Sequence, residues 1–337
     1  MFAGEVDLKT WYKPNIDKKI LKKLSKRSDF KGIVDISIFI IMLLISGYLC
    51  IFTWGTLWSI PALLLYGNIF YCKIISIQHE TNHETYFKTR GLNKFFYHIT
   101  SLLGGFEAVR WKWSHFHHHT YTIFTHEEVY DYENYSPKPT EPIRFLLNFL
   151  PLGPLINIQK IRHFTHFEII KHSLGIITPV VKITVPEKEI RKIINSSRLY
   201  VGFWLIIIAA SILFKSWLPI IMLILPPSYG NTILMICGMT QHAGLADNIK
   251  DHRKSTRTVI MNPFFSFLYS NMEYHIEHHI FPKIPCHNLK AFHQVVKEQM
   301  PPPKKGVINA YKEIIPAIFK QAKDKNNYLD VEVPGTN

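Results

Sequence analysis

Cysteine is scarce in this 337-residue chain: Cys50, Cys72, Cys237 and Cys286 lie far apart, and no CxxC pair occurs. That scarcity excludes a disulfide framework and leaves no zinc-thiolate or iron–sulfur site. Flavin, iron–sulfur and haem-binding motifs are also missing, so reducing electrons for any redox chemistry must come from a separate protein. Acidic residues are few, 25 against 39 lysines and arginines, for a net charge of +14. The excess cations are spread along the chain without a recognition motif, which argues against nucleic acid and suits anionic lipid headgroups.

Charge is nearly absent from four long stretches. Ile33–Trp54 holds only Asp35, Leu57–Ile77 holds only Lys73, and neither Leu199–Phe214 nor Trp217–His242 contains Asp, Glu, Lys or Arg. About 20 apolar residues span a hydrocarbon core of about 30 Å. The pattern predicts an all-α integral membrane protein with four transmembrane helices in two hairpins. Two buried hairpins of a soluble protein are the competing reading, and the weakly charged turns at Gly55-Thr56 and Lys215-Ser216 oppose it. The first stretch is too long, and starts too far into the chain, for a signal peptide. Lysines crowd residues 18–28, and most remaining cations fall in 78–197 and 243–337. The positive-inside rule therefore predicts a multi-pass protein with both termini and both long segments in the cytoplasm.

Three regions follow: a cytoplasmic N-terminal segment at 1–30, a membrane catalytic domain at 31–301, and a C-terminal cytoplasmic helix and tail at 302–337. Phe95–Phe106 and Phe145–Ile158 are apolar but too short to span, which predicts interfacial pieces. Trp111 and Trp113, flanked by Arg110 and Lys112, read as a belt at headgroup level. Glu127–Pro142 is acidic, aromatic and proline-punctuated, so a loop is expected there.

Between and after these stretches stand three histidine clusters: His79-Glu80-Thr81-Asn82-His83, His115-Phe116-His117-His118-His119 and His275-Ile276-Glu277-His278-His279. As helices they place imidazoles at i and i+4, or at i, i+3 and i+4, on one face. Neutral imidazole is the commonest protein ligand for transition metals. The HExxH of the first cluster is also a zinc-protease signature, but such a site needs three protein ligands. Eight clustered histidines exceed that need. Imidazole-rich sites with open positions suit oxygen-activating iron, and a pair of irons accounts for all three clusters.

The clusters HxxxH, HxxHH and HxxHH, in this order and with this layout of apolar stretches, make the chain resemble the membrane fatty acid desaturase family from about Ile33 to Pro301. The resemblance implies a diiron centre with O2 as co-substrate, held on a cytoplasmic helical cap by His79, His83, His115, His118, His119, His275, His278 and His279. It also implies a ninth ligand, His242, in Thr240-Gln241-His242-Ala243-Gly244-Leu245. Some members carry an asparagine four residues before that histidine, where this chain has Gly238. The stretch from Asn262-Pro263 to Pro282 is similar to a bacterial subgroup described as desaturases or hydrocarbon oxygenases. The implied activity is O2-dependent oxidation of a lipid, most simply desaturation of an acyl chain. Electrons would arrive from a ferredoxin, rubredoxin or cytochrome-type donor.

Within the second cluster His117 projects away from the shared face, which suggests a supporting role. Glu80 and Glu277 either orient imidazoles through their free N–H groups or solvate a helix face. Asp247, Asp251 and Arg253 follow His242 and are candidates for contacts behind the ligands. His126, His163, His166, His172, His252 and His287 lack companion spacing and are expected at surfaces or interfaces. Hydroxylation or ketolation of a hydrocarbon, carotenoid or small amphipathic metabolite is the near alternative. An intramembrane zinc metalloprotease is the distant one, and it lacks the aspartate ligand it would need in the third or fourth stretch. A metal transporter would need polar groups lining its spans, which these stretches lack.

Overall fold

The computed structural model describes residues 11–126, 129–133, 138–153 and 165–335. Helices dominate them. A short helix α1 (Lys18–Leu24) leads into α2 (Asp29–Thr53) and α3 (Ser59–Asn82), followed by α4 (Arg90–Gly104), α5 (Ala108–Thr120) and α6 (Pro142–Leu147). After the undescribed 154–164 come α7 (Thr165–Ser173), α8 (Pro179–Thr184) and α9 (Glu187–Leu213). The expected interfacial piece at 145–158 and His163 thus lie partly or wholly outside the described residues.

Among the described residues three helices are long and apolar enough to cross a membrane: α2, α3 and α9. Helix α2 starts where the Ser28 side chain accepts the Lys31 N–H, an N-cap that satisfies one of the unpaired donors of the first turn. Its outward face carries Ile41, Leu44, Ile45 and Phe52, all exposed. Such a surface is tolerable in contact with lipid and costly in water. Helix α3 is the central element, with 67% of its apolar stretch buried against 28% for α2 and 22% for α9. It packs on α2 and α4.

The fourth apolar stretch differs from expectation. Instead of one span, Trp217–His242 forms three short helices, α10 (Leu218–Leu223), α11 (Pro226–Tyr229) and α12 (Thr232–His242). Pro226 and Pro227 lack backbone N–H donors and cannot continue a helix from the preceding turn. The break also serves packing. A Cβ on Gly230 would stand 2.2 Å from the backbone carbon of Gly67, so the segment meets α3 backbone to backbone. We expect Gly230→Ala to lower the thermal midpoint in detergent through overpacking of about 1–3 kcal/mol. Gly202→Ala in α9, where a Cβ would meet nothing within 4 Å, should not lower it.

The two charges in the first two apolar stretches find each other. Lys73 Nζ lies 2.7 Å from Asp35 Oδ2 and also donates to the Phe267 carbonyl at 2.6 Å. The Tyr86 hydroxyl donates to the same Asp35 carboxylate. Burying either charge alone would be costly, and pairing removes most of that cost.

Beyond α12 lie α13 (His252–Ser255), β1 (Val259–Ile260), α14 (Pro263–Leu268), α15 (His275–Ile280), α16 (Cys286–Val296), β2 (Lys304–Lys305) and α17 (Val307–Lys323). Strands β1 and β2 pair in parallel, Val259 with Lys304 and Ile260 with Lys305. Just before them Arg257 donates to the carbonyls of Thr240 and Ala243 at 2.6 and 3.2 Å and pairs with Glu313 of α17. Those carbonyls belong to the end of α12, where no helical partner exists. Arg257 thereby fixes the terminus that carries His242.

Candidate metal centre

Four helix ends converge. His79 closes α3 and His83 is its C-cap; α5 carries His115, His118 and His119; His242 is the last residue of α12; α15 carries His275, His278 and His279. Helix α5 begins at Glu107, whose carboxylate accepts the N–H groups of Val109 and Arg110 at 3.0 and 2.7 Å. Helix α15 is a turn and a half, ended before Pro282.

The nine histidines form two groups. One holds His79, His83, His115, His119 and His278; the other holds His118, His242, His275 and His279. Within each group the ligand nitrogens all lie within 4.8 Å of one another. The groups adjoin, with the His119 and His279 rings 4.5 Å apart. His83 and His119 are half-buried and the other seven buried.

Hydrogen bonds at Nδ1 decide what the opposite nitrogens can do. His118 Nδ1 meets Asp131 Oδ2 at 2.7 Å, and His115 Nδ1 meets Glu133 at 2.7 and 2.9 Å. His242 Nδ1 meets the Ser255 carbonyl at 2.9 Å, and His79 Nδ1 meets Glu80 at 3.1 Å. The Thr122 hydroxyl donates to the His118 carbonyl, so its oxygen is left to accept from His279 Nδ1 at 3.2 Å. An imidazole that donates from Nδ1 presents a bare lone pair at Nε2 when neutral.

The Nε2 atoms face one another, bare in the imidazoles whose Nδ1 donates, whereas His275 Nδ1 accepts from the Gln241 side-chain NH2 at 3.0 Å. Nε2–Nε2 distances are 2.7 Å for His83–His115, 3.1 Å for His242–His275, 3.0 Å for His275–His279 and 3.1 Å for His119–His278. Where both nitrogens are acceptors, such distances are repulsive unless a cation stands between them, and the buried His79 Nε2 has no hydrogen-bond partner among the described residues. Nitrogens at right angles on an ion with bonds of about 2.1 Å would be about 3 Å apart. The residues present therefore fit two metal ions, one per group.

Burial sets the protonation. It pushes His83, His115, His119, His275, His278 and His279 well below the usual histidine range, with neighbouring imidazoles adding to the effect. His118 departs from the rest: burial lowers it, but the carboxylates of Asp131 and Glu133 outweigh that and raise it to about 9. For the six lowered groups the unfolded chain takes up protons first as pH falls below about 6.5, so they destabilise the fold in acid. The His118 contribution has the opposite sign, being complete below about 6.5 and lost as pH rises through about 9. Lowered histidines, His252 among them, outnumber His118, so the thermal midpoint of the metal-free protein is expected to fall between pH 7 and pH 5. Each lowered histidine contributes a slope of up to about 1.4 kcal/mol per pH unit; a flat midpoint over that range would contradict the assignment.

Several neighbours differ from their sequence-based expectation. Glu80 does bond an imidazole, but Glu277 instead accepts from His293 Nδ1 and from Thr258, tying α15 to α16 and β1. Asp247 touches no histidine of the centre; it pairs with Lys138 at 2.8 Å and accepts from Thr125. Asp251 is bonded to Arg253, whose guanidinium lies over the Tyr12 ring. His117 belongs to neither group and packs against Tyr121. His252, expected at the surface, is buried between Trp11 and His279, 4.1 and 4.9 Å from their ring centroids. His172 is buried against Thr178, and His166 stacks on Trp204. Trp111 is buried in the protein, stacked 4.5 Å from His115. Where some relatives have asparagine, a Cβ on Gly238 would lie 3.4 Å from the Tyr269 hydroxyl.

Asp131, Glu133, Thr122 and Ser255 are partners that sequence reasoning did not single out. The two acids sit in the loop expected at 127–142, where their i, i+2 spacing carries no helical signal. No curated protein matches the chain at a significant level. The family model described as Fatty acid desaturase matches residues 52–309, more than half of the chain, and that interval contains all nine histidines. With its apolar helices and its paired imidazole groups, the chain belongs to the fatty acid desaturase family of membrane proteins.

Proposed function

We propose that the chain is a membrane diiron oxidoreductase that uses O2 to introduce a double bond into a lipid acyl chain. The observation that carries this reading is the pair of imidazole groups, five and four, with facing Nε2 atoms. All-imidazole donor sets suit iron in oxygen chemistry. His79, His83, His115, His119 and His278 would hold one ion, and His118, His242, His275 and His279 the other. When bound, a pair of irons supplies with dioxygen the oxidising power for an unactivated C–H bond, which no side chain has.

The protein's own groups set that chemistry up. Asp131, Glu133, Glu80, Thr122 and the Ser255 carbonyl hold the Nδ1–H groups and aim Nε2 inward. Burial keeps His83, His115, His119, His275, His278 and His279 unprotonated and ready to bind metal. Trp111 stacked on His115 fixes one ring further.

The proposed placement is both termini and the centre in the cytoplasm, with the segmented stretch 217–242 completing a second hairpin beside α9. His79 and His242 each end the apolar stretch opposite its turn, at Gly55 and Ser216 respectively, so one side of the membrane suits both. An acyl chain could then enter from lipid while its head stays at the interface. Electrons would come from an acidic ferredoxin, rubredoxin or cytochrome-type carrier attracted by the basic surface.

Metal analysis of the purified protein and lipid profiling of a host expressing it test the proposal together. Two irons per chain and a new alkene are expected. One zinc without iron would overturn the diiron reading; an added oxygen without an alkene would replace desaturation by hydroxylation.

A further inference from the structure

A cavity of about 530 Å³ opens between the start of α2, the 260–274 segment and the start of α16, and no histidine of the metal centre lines it. Phe30, Val34 and Ile38 line it from α2 and are 75%, 41% and 45% exposed. At i, i+4 and i+8 they make one continuous apolar stripe about 12 Å long. Lys31 and Lys290 line the same cavity and are exposed, and His287 beside them has a buried Nε2 without a hydrogen-bond partner. Asp35, the acidic group in the lining, is neutralised by Lys73. Two lysines, with Glu273 behind Ser266 offsetting Lys290 in part, therefore stand beside an apolar track on a helix long enough to cross a membrane.

The opposite wall is held in a set shape. Ser270 and Asn271 have φ of 51° and 56°, two consecutive non-glycine residues in the left-handed region. That conformation is costly and persists only where the surroundings enforce it. Here the Ser270 and Asn271 N–H groups donate to the Phe267 and Ser266 carbonyls at 3.2 and 2.9 Å, and Lys73 Nζ lies 3.1 Å from Ser270 Oγ.

We propose that this cavity is a binding site for an anionic phospholipid, its phosphate between Lys31, Lys290 and His287 and one acyl chain along Phe30, Val34 and Ile38. The lipid is an accessory one and not the chain that reacts, because none of the nine histidines lines the site. It does not depend on the metal or on the reaction proposed above.

The full chain, purified in detergent and stripped of lipid, is titrated with dioleoylphosphatidylglycerol or dioleoylphosphatidylcholine. Native mass spectrometry reads retained lipid, and the thermal midpoint reads stabilisation. Phosphatidylglycerol is expected to bind roughly thirtyfold more tightly, as two lysines at an interface would give. The double variant Lys31→Glu/Lys290→Glu should lose that preference, while Lys312→Glu on α17 should keep it. Val34→Trp, at an exposed position that leaves the core untouched, should fill the track and abolish retention without altering the charges. Equal binding of the two lipids, retention in Val34→Trp, or the same stabilisation by excess inorganic phosphate alone would each overturn the proposal.

Discussion

His278→Ala is expected to empty the five-imidazole group of its metal and to reduce turnover by more than about 100-fold. The His278 ring is buried, its Nε2 is 3.1 Å from His119 Nε2, and its centroid is 4.5 Å from that of His79. Even residues that only support a metal ligand change affinity or activity by about 10–100-fold, so loss of a ligand itself should exceed that. Iron content measured on the purified variant should fall towards the amount the four-imidazole group alone can hold. The fold should survive, since the six-residue α15 keeps His275 and His279, the Thr258–Glu277 bond and the Glu277–His293 pair. Near-ultraviolet circular dichroism checks that point. His117→Ala, which removes a ring outside both groups, should leave iron content and turnover within about twofold, the range of ordinary surface changes. Full activity in His278→Ala would remove the basis of the site assignment.

How much of this was legible from residues alone depended on whether the signal was local. The HxxxH and HxxHH spacings are local, because a helix repeats every 3.6 residues whatever surrounds it. His115, His118 and His119 accordingly share a face of α5, and His117 points elsewhere. The division of nine histidines into groups of five and four is not local. It puts His118 with α12 and α15, and its neighbour His119 with α3, which only the crossing of helix ends produces. The same limit hid His252, a lone histidine without companions that the chain brings against His279. Hydropathy identified the fourth apolar stretch, yet it weighted Pro226, Pro227 and Gly230 too little. Those residues break the stretch so that Gly230 can meet Gly67.

Loop acids were the least legible part. The segment at 127–142 reads as a turn because of its prolines and polar residues, and nothing in that pattern distinguishes Asp131 from any solvated carboxylate. Burial distinguishes it. Asp131 is fully buried, accepts the Ile123 N–H at 3.0 Å and the Glu133 N–H at 3.2 Å, and meets His118 Nδ1 at 2.7 Å. Burial raises its carboxyl, but the His118 charge and the two hydrogen bonds at Oδ2 more than reverse this, leaving it below the usual carboxylate range. Asp247, a sequence-based candidate for the same role, faces Lys138 and Thr125.

The contrast makes Asp131→Asn the second large expected effect. An asparagine oxygen at the Oδ2 position can still accept from His118 and Ile123, but its NH2 then faces the Glu133 N–H, donor against donor. Turning the amide over moves the conflict to His118. Either way the charge-assisted bond that aims His118 Nε2 is lost, and such bonds are about twice as strong as neutral ones. Metal affinity of the four-imidazole group is expected to fall by about 10–100-fold, read by competition with a chelator. A second readout separates this from simple loss of packing. Without the Asp131 charge and its charged hydrogen bond, Glu133 alone opposes burial, so His118 should fall from about 9. The metal-free variant should then lose the His118 stabilisation that disappears between pH 7 and pH 9 in the native chain, so its thermal midpoint should vary less over that range. Asp247→Asn should alter neither chelator competition nor pH profile. If Asp131→Asn holds metal as the native chain does, the carboxylate is structural only, and the orientation of His118 must come from α5 itself.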